Sequence, residues 1–154
     1  MCRFCRAGRE NLCSDLQYLN GAFADHVLVP ARFASRSALA VPEGLDPVVA
    51  AMAEPLACVH HGLGACTPPD GDTVVLGAGP IGLMFVRELS FRGHRVVLGD
   101  PVAARLEVGS RLGAAATVPL DGRVGDDERL LAVVGSGRGA PLVVEATGSP
   151  RAWQ

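Results

Sequence analysis

From residue 71 onward, apolar positions fall into two alternating kinds of block. Thr73-Val74-Val75-Leu76 is an unbroken apolar run, the pattern of a strand buried on both faces. A glycine turn over 77–82 leads into a segment at 81–92 with helical spacing. There Ile81, Met84, Phe85 and Leu89 share one face, and Arg87, Glu88 and Arg92 lie outside it. Gly93 ends that helix, and a second strand at 95–98 closes at Asp100. The form repeats with a helix over 102–112 and a strand at 116–118. Asp126 or Asp127 caps a further helix through Val134, and a fourth strand follows at 142–146. Strands alternating with helices predict a parallel, right-handed, doubly wound α/β sheet. The first part of the chain reads differently. Residues 1–20 form a loop, and a strand at 23–29 stops at Pro30, which cannot continue a ladder. A short strand at 38–41 ends at Pro42-Glu43-Gly44, and two helices follow near 47–53 and 55–64. Pro55 suits the first turn of the second, where a missing N–H costs nothing. There is no solenoid repeat and no low-complexity segment.

Composition narrows this picture. The 154 residues suit one ordinary domain's worth of core; 49% are hydrophobic and 19% charged, as in globular chains. Aromatics are only 5% and glycines number 19, a mix suited to tightly packed helices on a parallel sheet. A formal charge of −2 gives no electrostatic reason for nucleic acid or an anionic membrane surface as a partner. The apolar stretch 73–86 is too short to span a bilayer, and no signal-peptide core follows Met1-Cys2-Arg3. The expectation is a soluble cytoplasmic protein.

Gly77-Ala78-Gly79-Pro80-Ile81-Gly82 carries the strongest chemistry. A glycine pattern of this kind is weak alone. Here it follows a predicted strand, opens a predicted helix, and has Asp100 waiting at the end of the next strand, 18 residues past Gly82. Gly77 permits the tight turn, Gly79 lets backbone approach a pyrophosphate, and Gly82 lets the helix pack on the sheet. The helix start, with Pro80 and Ile81, offers N–H groups and a positive dipole end to phosphates. Asp100 can accept hydrogen bonds from the adenosine ribose hydroxyls, and its charge repels a 2′-phosphate, so NAD is expected over NADP. Arg105 reaches toward the same ribose edge and leaves NADP open. The alternative is a turn that serves only strand–helix packing, with Asp100 as a surface cap.

Cys2-x-x-Cys5 followed by Cys13 is three quarters of a tetrahedral thiolate zinc site. Clustering of this kind in a cytoplasmic chain favours a metal over disulfides. A thioredoxin-like redox pair needs a flanking strand and helix that the chain start lacks. A nucleic-acid zinc ribbon needs a second such pair and a basic surface. Cys58 and Cys66 lie far along the chain in helical segments and are poor fourth ligands.

Taken in order, these segments resemble one family. Cys2-x-x-Cys5-x-x-Gly8-x-x-Asn11-x-Cys13 is similar to the structural zinc lobe of zinc-dependent medium-chain alcohol and polyol dehydrogenases. Gly21-Ala22-Phe23-Ala24 with Val27-Leu28-Val29-Pro30 resembles the strand after that lobe. Glu54-Pro55-Leu56-Ala57-Cys58-Val59-His60-His61-Gly62 resembles the helix joining the family's two domains, in its sorbitol and threonine dehydrogenase form. Gly77 to Leu83 and Glu145-Ala146-Thr147-Gly148 resemble its nucleotide domain. The resemblance implies part of a GroES-like, β-rich catalytic domain over 1–66 and an incomplete Rossmann sheet over 67–154. It implies NAD as cofactor, with structural and catalytic zinc, oxidation of a secondary alcohol or polyol by hydride transfer, and a homo-dimer or homo-tetramer.

By the same resemblance Gly77, Gly79, Pro80, Ile81, Gly82, Asp100, Arg105 and Thr147 bind the cofactor, and Cys2, Cys5 and Cys13 bind the structural zinc. Glu54 stands at the acidic position beside the catalytic zinc; otherwise it is a carboxylate favoured at a helix start, worth ~0.3–1 kcal/mol. His61 falls where the family often has histidine, while His60 and His94 read as surface residues and His26 has no role. The family's fourth lobe cysteine lies three residues before Cys2, and its catalytic cysteine and Gly-His-Glu segment lie further upstream. Its last two sheet strands lie beyond Gln154. This polypeptide alone is therefore expected not to catalyse, and a non-catalytic dinucleotide-binding remnant is the alternative. A zinc-free quinone reductase relative ranks last, because that branch lacks the cysteine lobe.

Overall fold

The computed structural model describes residues 2–66 and 70–150, and the chain divides into two compact units, Met1–Gly44 and Leu45–Gln154. The division expected between residues 66 and 67 borders residues 67–69, which lie outside the described ones.

The second unit opens with two helices, α3 (Pro47–Ala50) and α4 (Ala53–Ala65). After them come β1 (Asp72–Leu76), α5 (Pro80–Phe91), β2 (Arg95–Asp100) and α6 (Ala103–Arg111). The unit ends with β3 (Ala116–Pro119), α7 (Asp126–Val133) and β4 (Leu142–Glu145). The four strands form one sheet in the order β3-β2-β1-β4, and every pairing is parallel. β1 registers Val74 against Val97 on one side and against Val143 on the other.

The unbroken apolar runs have their explanation in burial on both faces. One layer gathers Val59 and Leu63 of α4, Val86 and Leu89 of α5, Leu106 of α6, and Val75, Val96 and Leu98 of the sheet. The opposite layer holds Val74, Val97, Val118 and Val134. At roughly 1.5–3 kcal/mol for each fully buried Val or Leu, these layers supply the driving force for the fold. Thr73 is the polar exception: it is fully buried, and its Oγ1 has no hydrogen-bond partner among the described residues. A clasp closes the N-terminal edge of the sheet. Arg95 pairs with Asp72 and donates twice to the Val133 carbonyl at 3.2 Å, while the Gly135 N–H donates to Asp72 at 2.6 Å.

The helical face of α5 differs from the expected one. Gly82, Val86 and Leu89 are buried, Met84 and Phe85 are half-buried against the core, and Ile81 is 42% exposed. Close approach at Gly82 turns the helix so that glycine, not isoleucine, faces the sheet. The helix α7 is capped by Gly125 in a left-handed conformation rather than by Asp126 or Asp127, both of which lie in its first turn. Asp126 instead accepts from the Gly122 N–H at 2.8 Å and pairs with Arg129.

In the first unit α1 (Arg3–Arg6), a 3₁₀ turn (Glu10–Leu12) and α2 (Ala31–Ser37) are the regular elements. The strands expected at 23–29 and 38–41 do not form. A strand exists only where its N–H and C=O groups meet a ladder partner. Residues 23–29 make no backbone hydrogen bond among the described residues, and Phe23 and Leu28 are exposed. Pro30 sits at the N-cap of α2. No helix of the described residues is long and apolar enough to cross a membrane.

Candidate functional site

In an open parallel sheet, the crevice lies outside the carboxyl ends of the strands where the order reverses. Here that point falls between β1 and β4, because β2 and β3 extend to one side of β1 and β4 lies on the other. The glycine turn leaves β1 at this crevice.

Each glycine has a distinct reason to be there. Gly77 has φ +97°, and a Cβ on it would stand 2.9 Å from the carbonyl of Ala146 and the amide of Thr147. A Cβ on Gly82 would stand 1.8 Å from the Gly77 carbonyl oxygen, so α5 could not sit where it does. Gly79 is the opposite case. Nothing lies within 4 Å of a Cβ built on it, and its backbone, at φ −71°, suits any residue. Packing does not demand a glycine at 79; an open cradle at the head of a helix does. Gly79 is also the N-cap of α5 and contributes no side-chain cap, with Pro80 at the first helical position. The N–H groups of Ile81 and Gly82 therefore lack intrahelical acceptors and are free for an anion.

Asp100, at the end of β2, flanks the glycine turn on the side away from β4. It is 4% exposed, and its carboxylate accepts from the Ala78 N–H at 2.7 Å and the Val102 N–H at 2.8 Å. The reading of Asp100 as a mere surface cap fails on that burial. Its bond to Ala78 joins the end of β2 to the middle of the glycine turn, a link the sequence does not reveal. The guanidinium of Arg105, half-exposed, stands 4.0 Å from the same carboxylate. On the other side of β1, Thr147 follows β4. Its N–H donates to Glu145 Oε1 at 2.6 Å, its hydroxyl donates to the same oxygen, and that hydroxyl accepts from the Ser149 N–H at 2.9 Å. The sequence marks Glu145 only as the first residue of the Glu145-Ala146-Thr147-Gly148 motif.

The cysteines of the first unit come together. Backbone bonds from Arg6 to Cys2, Gly8 to Cys5 and Cys13 to Glu10 fold the loop back on itself. The Sγ atoms of Cys2, Cys5 and Cys13 all lie within 4.8 Å of one another, with Cys2 and Cys5 3.7 Å apart. Tetrahedral zinc with Zn–S bonds near 2.3 Å requires about 3.8 Å between sulfurs, so the donor set fits that ion with one vertex left over. Hydrogen bonds from the backbone of Cys5 and Ser14 hold the Cys2 thiol down at about 6, favouring the thiolate that a metal takes. The Cys5 thiol is pushed up by hydrogen bonding with the Cys13 and Cys2 sulfurs.

Glu54 lies exposed in the first turn of α4 and accepts from the Cys58 thiol one turn on, at 3.4 Å. Cys66 donates to the Gly62 carbonyl. Among the described residues, Cys2, Cys5 and Cys13 are the one group of three or more metal donors, so Glu54 has no companion ligands among them. His60 is exposed, as read, yet its Nδ1 lies 3.0 Å from Glu88 Oε1. Glu88 also takes two bonds from Arg92, at 3.0 and 2.8 Å, and these hold its carboxyl below the usual range, with His60 adding to them.

No family model matches the chain. Over 156 residues it is 33% identical to an L-threonine 3-dehydrogenase of Bacillus subtilis, covering 98% of this chain and 43% of that one. A sorbitol dehydrogenase of Halalkalibacterium halodurans is also 33% identical, with 96% and 43% covered. Among solved structures, a zinc-binding dehydrogenase of Sinorhizobium meliloti bound to NADP is 30% identical with a TM-score of 0.78, covering 99% of this chain and 45% of that one. An alcohol dehydrogenase of E. coli CFT073 complexed with NADH is 28% identical with a TM-score of 0.79, covering 97% and 44%. The chain thus spans less than half the length of the relatives it matches.

Proposed function

We propose that the chain is a portion of a zinc-dependent, NAD-linked medium-chain oxidoreductase acting on a secondary alcohol or polyol, a reading supported by its similarity to threonine and sorbitol dehydrogenases. The observation that carries the reading is the empty space at Gly79, set at the uncapped start of α5, with the Asp100 carboxylate at the end of the neighbouring strand. The N–H groups of Ile81 and Gly82 hold the pyrophosphate, with Pro80 fixing the first turn. Asp100 takes the adenosine ribose hydroxyls and disfavours a 2′-phosphate, so NAD is preferred over NADP; Arg105 borders that ribose. Thr147 lines the far side of the crevice. Residues 1–66 belong to the catalytic domain and residues 67–154 to the nucleotide domain.

Cys2, Cys5 and Cys13 would hold a structural zinc, and Glu54 would face the catalytic zinc of the whole enzyme. Bound at that second position, zinc supplies a Lewis acid that lowers the pKa of the alcohol hydroxyl. The whole enzyme works as a homo-dimer or homo-tetramer in the cytoplasm.

A second reading, dinucleotide binding without turnover, is favoured by one observation. Among the described residues no group of three donors surrounds Glu54. Zinc-dependent alcohol oxidation by this chain alone would overturn that second reading.

The site itself is tested by titrating the chain with NADH and NADPH while measuring its zinc content. One zinc per chain and tighter binding of NADH than NADPH are expected. Because a Cβ at 79 has nothing within 4 Å, Gly79→Val should fold normally and lose NADH by filling the phosphate cradle. A G79V chain that binds NADH like the wild type overturns the assignment.

A further inference from the structure

The dinucleotide reading leaves Glu145 without a purpose, although its side chain does something specific. β4 ends at Glu145, which registers opposite Leu76, and the Ala146 N–H continues the ladder to the Leu76 carbonyl at 2.8 Å. From there the carboxylate bends back over its own strand end. One oxygen takes both the N–H and the hydroxyl of Thr147. These bonds, with a weaker one from the Gly148 backbone, hold the Glu145 carboxyl below the usual glutamate range.

The peptide gripped in this way is the one that touches the glycine turn. A Cβ on Gly77 would meet the Ala146 carbonyl and the Thr147 nitrogen at 2.9 Å, and a Cβ on Gly82 would reach the Ala146 side chain at 3.5 Å. Backbone therefore lies against backbone across the crevice, with no side chain between to absorb a shift. Rotation of the 146–147 peptide would be felt directly at Gly77.

Topology says which part of a ligand would notice. The pyrophosphate position is fixed by the turn after β1. The adenosine ribose belongs with Asp100 on β2, to one side. β4 lies on the other side of β1, so the remaining half of a dinucleotide must extend along the loop that leaves β4. We propose that Glu145 is a positioning residue for the nicotinamide half of the cofactor: it sets the Ala146–Thr147 peptide and the Thr147 hydroxyl that form that wall of the crevice. This rests on the dinucleotide reading above.

The test separates the two halves of the ligand. NADH and 5′-AMP are titrated calorimetrically into the wild-type chain and into Glu145→Ala, Glu145→Gln and Thr147→Val. Loss of the charged acceptor should weaken NADH about tenfold in E145A, the scale of one charge-assisted hydrogen bond. AMP, held on the Asp100 side, should stay within about twofold, since bonds on the far side of β1 do not reach it. E145Q keeps an acceptor oxygen at the same place and should recover most of the NADH affinity. T147V keeps the amide, loses the hydroxyl, and should fall between. Equal NADH affinity in wild type and E145A overturns the assignment, as does an equal loss of NADH and AMP, which would mark a purely structural role. Should E145A fail to fold, E145Q and T147V decide: wild-type NADH affinity in T147V overturns the assignment. A wild-type chain that binds neither ligand overturns the dinucleotide reading together with this one.

Discussion

Replacing Asp100 by alanine should cost the chain about 2–4 kcal/mol of stability even with no ligand present, on the scale of buried charge-assisted bonds. The figure follows from what the carboxylate touches. It receives two backbone N–H groups, from Ala78 at 2.7 Å and Val102 at 2.8 Å, and it is only 4% exposed. A hydrogen bond to a charged group contributes roughly 1.5–3 kcal/mol, and a buried donor left without a partner costs roughly 1–3 kcal/mol. Ala78 is 1% exposed, so its orphaned N–H would have no water to turn to; Val102 is 41% exposed and would recover part of its loss. Removing the carboxylate also removes its own desolvation cost, which brings the sum below two full bonds. The half-exposed Arg105 at 4.0 Å adds little. Urea unfolding at neutral pH, followed by far-UV circular dichroism, reads the difference. With a slope of about 1–3 kcal/mol per molar urea, the midpoint should fall by about 1–2 M. Asp46 supplies the control. It accepts from the Val48 N–H at the same 2.7 Å but caps an exposed four-residue helix, so Asp46→Ala should cost about 0.5–1 kcal/mol. Equal effects of D100A and D46A would refute the argument that burial, not bond length, sets the magnitude.

Two further outcomes follow from the same packing. Thr73→Val keeps the shape of a fully buried side chain while deleting an Oγ1 that has no partner, so stability should rise by about 1 kcal/mol in the same urea experiment. A loss would mean that the hydroxyl has a partner. The Glu88 carboxyl, held low by Arg92 and then His60, contributes stability above the ordinary glutamate range and loses it as pH falls through its depressed value. Glu88→Gln should therefore narrow the gap in stability between pH 7 and pH 3, and an unchanged gap would rule out the cluster as a source of acid sensitivity.

What could be read from the residues alone depended on how far each feature's cause lay along the chain. The strand, turn and helix around Gly77 were legible because each glycine answers a local demand and the next acid, Asp100, ends the neighbouring strand. The use of Asp100 was not. Its residue type fits a ribose, and only the fold shows that the same oxygen is already engaged by the Ala78 amide. The face of α5 differs from its hydrophobic pattern around Ile81 because such a pattern gives glycine no weight, although Gly82 is where the helix comes closest. At α7 the pattern offers Asp126 or Asp127 as a cap, but neither takes that place, and the Asp126 carboxylate is drawn backward to Gly122 and sideways to Arg129.

The first unit draws the same line more sharply. The Cys2–Cys5–Cys13 loop closes within thirteen residues by its own backbone bonds, so spacing alone was enough to bring three sulfurs together. The apolar residues at 23–29 have real strand propensity, yet propensity is a statement about side chains and a strand is an agreement between two backbones. Phe23, Val27, Leu28 and Val29 stay exposed to different degrees because the described residues offer that segment no ladder. Pro30 was informative in both directions at once: it stops a ladder, and it also stands at the head of α2, where a proline is equally at home. Local chemistry therefore predicts the clustering of the three cysteines and the glycine turn, whereas anything whose partner is distant in sequence has to be found in three dimensions. Glu145 belongs to the second kind: its partner Thr147 is two residues away, but its meaning lies in Gly77, across the crevice.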